Sequence, residues 1–239
     1  MLAVAVVLVV AIGGGIWWFL RDDSPAEVSL DTAAQSAPTT AAPADGGSAD
    51  PVDPNGTWTV DTTTGDFDFE HATGTFAGFR IQEELSSLGS TTAVGRTGAV
   101  SGTATIAGDT LTAARFEVDL TEITTNQSQR DSRVQSALET SRFPTATFTL
   151  GAPVPLGADP ASGQDISVTA TGTLDLHGVT QQVEVPIQAR MVNGTIVLVG
   201  SFDVVFSDYG VEVPKAPIVL SVSDNGTIEM QILLTKQAA

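Results

Sequence analysis

Apolar residues recur at every second position along much of this chain, and short Gly-containing turns interrupt the runs. Ile166, Val168, Ala170, Leu174 and Leu176 share one parity and lead into His177-Gly178. Val183, Val185, Ile187, Ala189 and Met191 share another up to Asn193-Gly194. Phe202, Val204 and Phe206 continue the scheme, and Ile228, Met230, Ile232 and Leu234 close it after Asn225-Gly226. A period of two places such side chains on one face of a sheet, and two-residue Gly turns join antiparallel neighbours. Further strands are expected at Trp58 and Val60, Phe67 and Phe69, Phe76–Leu85 with Phe79 and Ile81, and Phe148–Leu150. Val100–Ile106 is expected to meet Leu111–Leu120 across Gly108-Asp109, with Phe116, Val118 and Leu120 alternating. The predicted architecture is mainly β: an antiparallel barrel of about eight strands with an apolar interior.

Between Asn126 and Arg142 the period of two is lost. Val134, Ala137 and Leu138 fall on one face at helical spacing, Thr125 or Asn126 is positioned to cap the start, and Pro144 stops the run after Phe143. One amphipathic helix covering one end of the barrel is the expectation.

The first twenty residues change the picture. Leu2 to Leu20 is an uncharged apolar run ending near Trp17-Trp18, long enough as a helix to cross a bilayer core, with tryptophans suited to its interface. A cleaved leader would carry a basic start and a small-residue cleavage site, and Arg21-Asp22-Asp23-Ser24-Pro25 follows instead. The chain therefore divides into a transmembrane anchor (1–21), an Ala/Pro/Thr/Asp-rich disordered linker (22–55) and a β domain (56–239). The lone Arg21 favours the opposite orientation. The seven acidic residues from Asp22 to Asp53, with a whole domain beyond, argue for translocation of the C-terminal part across the membrane.

Charge narrows the function. Residues 56–239 carry 21 acidic and 9 basic side chains, a surface that repels nucleic-acid phosphates and anionic headgroups. The chain has no cysteine, which removes disulfides and thiolate chemistry. His71 and His177 lie about a hundred residues apart with no metal-ligand spacing, and His177 reads as a turn residue. No nucleophile elbow, His-Glu-x-x-His pair or phosphate loop is present, and Glu83-Glu84 point to opposite faces of a strand. No cofactor, metal site or catalytic residue is expected. Asn-Gly-Thr at Asn55, Asn193 and Asn225 matches glycosylation acceptors, but two of these sit where a hairpin turn wants Asn-Gly for its backbone.

The stretch from Trp58 through Lys236 resembles the YceI-like family. The resemblance rests on Gly56-Thr57-Trp58-Thr59-Val60-Asp61, Phe79-Arg80-Ile81, Val94-Gly95-Arg96-Thr97 and Val100-Ser101-Gly102. It continues in Val118-Asp119-Leu120, Arg130-Asp131 and Arg142-Phe143-Pro144-Thr145-Ala146-Thr147-Phe148. Its most specific piece is Gly172-Thr173-Leu174-Asp175-Leu176-His177-Gly178-Val179-Thr180, with Asp208-Tyr209-Gly210-Val211 later. The resemblance implies a lipocalin-shaped barrel holding an isoprenoid lipid, a polyprenyl chain or a quinone tail, in its interior. Two departures stand out: a tether where many members have a cleaved leader, and a Ser/Thr/Gly-rich insertion, Ser86–Thr92, after the strand from Phe76.

Phe79, Ile81, Phe116, Val118, Leu120, Leu174, Leu176, Val185, Phe202, Val204 and Phe206 are the expected apolar lining, with Val134, Leu138 and Phe143 covering one end. Alternation identifies an inward face without separating a cavity from an ordinary core. Arg80, Arg96, Arg130 and Asp131 are the candidate headgroup contacts, weighed against a solvated helix face for the last two. The competing function is an envelope β domain that binds another protein through its edges or loops, without a lipid.

Overall fold

The computed structural model describes residues 24–37, 52–85, 89–125, 128–212 and 219–237. The expected transmembrane anchor lies outside these residues, and among them no helix is long and apolar enough to cross a membrane.

Eight strands form a closed antiparallel ring: β1 (Gly56–Val60), β4 (Val100–Ala107), β5 (Thr110–Asp119), β7 (Thr145–Leu150), β9 (Ile166–Leu176), β10 (Val179–Val192), β11 (Thr195–Val205) and β12 (Val219–Lys236). Closure comes from β1, which pairs with β4 on one side and with the end of β12 on the other, Val60 facing Leu234 and Trp58 facing Lys236. The earlier part of that same β12 edge pairs with β2 (Phe76–Leu85), which carries β3 (Gly89–Thr97) and the two-residue β6 (Thr124–Thr125). The two-residue β8 (Val154–Pro155) pairs with β5. Closing the ring leaves few exposed strand edges. The architecture is mainly β and lipocalin-like.

The predicted hairpins at His177-Gly178 and Asn193-Gly194 are present, and both central residues of each have positive φ (55° and 74°, 50° and 82°), which matches the right-handed twist of the flanking strands. Asn225-Gly226 is a correction. It sits inside β12, opposite Val205 and Val204, where the register with β2 shifts. Gly226 is required there because the Phe206 ring lies over it, 2.4 Å from where a Cβ would stand. Phe67 and Phe69 are a second correction. They belong to a loop, not a strand, because Asp61 draws the chain back after β1. Its Oδ1 accepts from the backbone and hydroxyl of Thr63, both at 2.7 Å, and from the Thr64 backbone at 3.1 Å. The Thr75 hydroxyl donates to the Asp61 carbonyl and accepts from the Leu233 backbone, pinning the far end of the loop. Residues 89–92, expected within an insertion, form the start of β3 and pair with β2.

The linker is also corrected over residues 24–37. The helix α1 (Leu30–Ser36), capped by Ser29, lies on the outside of β10 and β11. Seven residues are too few to hold a helix alone in water, so packing holds it: Leu30, Ala33 and Ala37 bury against Val197, Val199 and Leu233. Arg190 ties it further, contacting Asp31 at 3.0 Å and Asp165 at 2.5 Å. These hydrogen bonds, to Asp165 first and Asp31 second, raise the Arg190 pKa above its ordinary value. The upstream part of this strap crosses β2 and β3, where the Pro25 and Ala26 carbonyls accept from Arg80, and Ala26 from Arg96 as well.

Those arginines flank Glu229, at 2.7 Å from Arg80 Nε and 2.7 Å from Arg96 Nη2, with the Glu229 side chain 1% exposed. Burial lowers the Arg96 pKa, Glu229 works against that shift, and the Arg80 cation adds to it. Removing the carboxylate strands two cations beneath the strap. Glu229→Ala is therefore expected to lower unfolding free energy by about 3–5 kcal/mol, read from the midpoint of urea denaturation.

Asp61 gives a pH dependence of known sign. Burial raises its pKa, but the hydrogen bonds from Thr64 and Thr63 outweigh burial and hold it below the ordinary 3.8. A carboxyl with a depressed folded pKa contributes its stability above the unfolded value and loses it as pH falls through the folded one. In urea titrations, Asp61→Ala is expected to cost about 1–2 kcal/mol near neutral pH, with the gap to wild type shrinking below about pH 4.

Candidate functional site

Inside the ring, the alternating positions of the long strands enclose two adjoining apolar cavities. The first measures about 120 Å³ open to the centres of water-sized groups, and the second about 70 Å³. Every side chain on the wall of the first is apolar, and Gly78 contributes backbone alone. Such a space stays dry when empty, because water there would find no partners.

Ten of the residues expected from the sequence line the first cavity: Phe79, Phe116, Val118, Leu120, Leu138, Leu174, Leu176, Val185, Phe202 and Phe206. Ile81, Val134 and Val204 do not reach it. They pack with Leu120, Ile123, Leu138, Phe206 and Tyr209 into a filled end beneath α2 (Ser128–Ala137). Phe143 is a correction: it lines neither of these two cavities. The helix ends at Ala137 rather than Arg142, and Glu139 turns the chain with φ 45°. Phe143 is thus half-buried over the Gly178 turn, its ring tilted 58° to that of His177 at 4.6 Å between centroids, with Arg142 over it.

The headgroup candidates separate into two groups. Arg80 and Arg96 are set on the face opposite the cavity, because their neighbours Phe79 and Gly95 point inward and a strand alternates. They belong to the buried Glu229 cluster described above. Arg130 instead bridges from α2 to Glu83 of β2 at 3.2 Å, both side chains mostly buried. Asp131 accepts from the Thr125 backbone and hydroxyl at 2.7 Å each, holding the start of α2 to β6. Gln135 donates to the Leu120 and Thr121 carbonyls. These polar ties hold α2 over the filled end.

His177 serves its turn, with Nδ1 3.1 Å from the Tyr209 carbonyl and Nε2 3.7 Å from Glu139. A carbonyl only accepts, so Nδ1 carries the proton in the neutral ring. Burial, then the Asp208 carboxylate, raises the Tyr209 pKa. Among the described residues, no three His, Cys, Asp or Glu side chains come together to hold a metal ion.

Sequence reasoning missed several wall residues. Phe148, Ile187, Ile228, Met230 and Ile232 line the first cavity and carried the right parity. Leu198 was hidden inside the apolar run Ile196-Val197-Leu198-Val199. That run buries both strand faces, inward on the cavities and outward under α1.

The YceI-like domain family matches residues 58–234. The chain belongs to this family. Solved structures with the same fold include a polyisoprenoid binding domain from Saccharophagus degradans implicated in plant cell wall breakdown. It is 19% identical with a TM-score of 0.55, over 77% of this chain and 99% of that one. BcnA of Burkholderia cenocepacia is 16% identical with a TM-score of 0.52, over 66% and 95%. The YCEI protein of Campylobacter jejuni is 16% identical at 0.50, over 60% and 85%. No curated protein matches the chain.

A wall that borders empty space loses fewer contacts on truncation than a close-packed seam. Leu174→Ala, at the cavity wall, is therefore expected to cost about 2 kcal/mol, and Leu233→Ala, under the strap, about 4–5 kcal/mol. Paired urea unfolding curves check the order.

Proposed function

We propose that this YceI-like protein binds and carries an isoprenoid chain, a polyprenyl or quinone tail, within its barrel. The barrel would stand on the extracytoplasmic side of a bacterial cytoplasmic membrane, tethered through the apolar segment 2–20. The observation that carries the reading is the first cavity, whose lining side chains are all apolar. Polyisoprenoid binding by the Saccharophagus degradans relative, the same fold at low identity, supports it.

Energetics limit what such a site does. Moving apolar carbon out of water contributes about 0.8 kcal/mol per methylene, which favours the bound state strongly for any chain in solution. A tail drawn from a bilayer gains far less, because lipid is already apolar. The site therefore selects by shape and exchanges its cargo with membranes, instead of storing it.

Purification from bacterial membranes followed by solvent extraction and mass spectrometry tests the reading, with isoprenoid lipid expected in the extract. Val185→Asp places a charge against the cavity and is expected to abolish uptake of added prenols while circular dichroism stays that of a β barrel. Repeated recovery of empty protein that takes up neither polyprenols nor quinones overturns the reading.

A further inference from the structure

The docked strap shortens the tether. The apolar segment proposed to hold the protein in the membrane ends at Leu20, and only Arg21, Asp22 and Asp23 separate it from Ser24. We infer that the β2–β3 flank, with the neighbouring loop that carries Phe67, is the surface this protein turns to the bilayer, against its zwitterionic headgroup layer. The inference rests on the tether in the proposed function and is independent of the cargo.

Chain length sets the first part of the argument. As a free coil, the linker 22–55 would let the barrel stand roughly 30–35 Å away. The strap removes most of that reach. The Pro25 and Ala26 carbonyls are held by Arg80, and Ala26 also by Arg96 Nη2 at 2.8 Å, while the apolar seat of α1 holds the residues that follow. From Leu20 to Pro25 the chain spans at most ~18 Å when fully extended. The headgroup region on one side of a bilayer takes up about 5–8 Å of that. The flank under Pro25 therefore stands no more than about 10–13 Å above the headgroups.

The surface beside the strap suits that neighbour. Arg96 joins the two: its Nη2 donates to the Ala26 carbonyl of the strap and its Nη1 to the Phe69 carbonyl of the loop at 3.5 Å. The Thr73 and Gly74 backbone groups donate to the Asp66 carbonyl at 3.0 and 3.1 Å, so the loop is closed on itself. Phe67 stands on Gly98, just past β3, where a Cβ would lie 2.8 Å from its Cγ. Among the described residues, only Phe67 and Val205 are large apolar side chains left exposed. An aromatic ring is favoured at the level of the headgroups. Asp66, Asp68 and Glu70 surround it, which opposes anionic headgroups and keeps the loop out of the hydrocarbon.

The chain has no cysteine, so one introduced thiol carries one fluorophore. The test places it by Glu70→Cys in the loop or by Thr173→Cys, exposed on β9 across the ring. Full-length protein is reconstituted into phosphatidylcholine vesicles whose headgroups carry a nitroxide quencher. The Glu70→Cys label is expected to be quenched at least about threefold more than the Thr173→Cys label, because the chain's reach holds only one flank near the nitroxides. Inserting about twenty Gly/Ser residues between Asp23 and Ser24 adds roughly 25 Å of reach and is expected to bring that ratio below about 1.5. Equal quenching of the two labels without the insertion, or a ratio that the insertion leaves unchanged, overturns the inference. So does a Glu70→Cys label shielded from aqueous iodide yet untouched by the nitroxides, because a protein partner then covers the flank. Protein that stays out of the vesicles altogether overturns the tether reading as well, while lipid extraction decides the cargo separately.

Discussion

The molecule depends on how one strand shares its edge. β12 runs for eighteen residues, pairs with β11 along one side, and on the other gives its first part to β2 and its last to β1. Backbone groups on a buried edge need partners, and neither the five-residue β1 nor the ten-residue β2 could satisfy that edge alone. The division closes the ring at the β1 end, where Trp58 is fully buried and donates its indole N–H to the Pro54 carbonyl. At the other end the sheet extends through β2 and β3, and a helix completes the wall. The closed part shapes a hollow, and the extended part supplies its cover.

A hollow interior forfeits packing that a solid core would have, and the outside of the sheet compensates. On the outward side of β11 and β12, Val197, Val199 and Leu233 are buried under α1 as completely as any inward residue. Beside them two arginines and one glutamate are sealed by backbone carbonyls of the strap. Buried charges of this kind are weak contributors to net stability but strict about geometry. They fix where the strap lies, and the apolar seam holds it there.

Most of the barrel was legible from alternation alone, because an inward face cannot slip by one residue without exposing every apolar side chain. The β9–β10 and β10–β11 hairpins were legible for the same reason, strengthened by His-Gly and Asn-Gly. Three features were not. Asn225-Gly226 carries the local chemistry of a turn, yet its glycine is there to receive the Phe206 ring, a contact between residues twenty positions apart. Ser24–Ala37 has the composition of a linker, and only the doubly apolar run Ile196–Val199, with Leu233 beside it in space, reveals that something covers that face. Arg80 and Arg96 sit on the right strands for a headgroup but on the wrong side of them, a distinction that parity with Phe79 and Gly95 contains. The cavity itself was not legible, since periodicity reports which way a side chain points and not whether its neighbours reach it.

The path of the strap has a mechanical consequence. Its upstream end, at Pro25 and Ala26, is held on β2 and β3, while α1 lies farther along the wall against β10 and β11. A pull on the chain ahead of Ser24 would therefore load β2 and β3 sideways, through the arginine–carbonyl contacts, ahead of α1 and the wall beneath it.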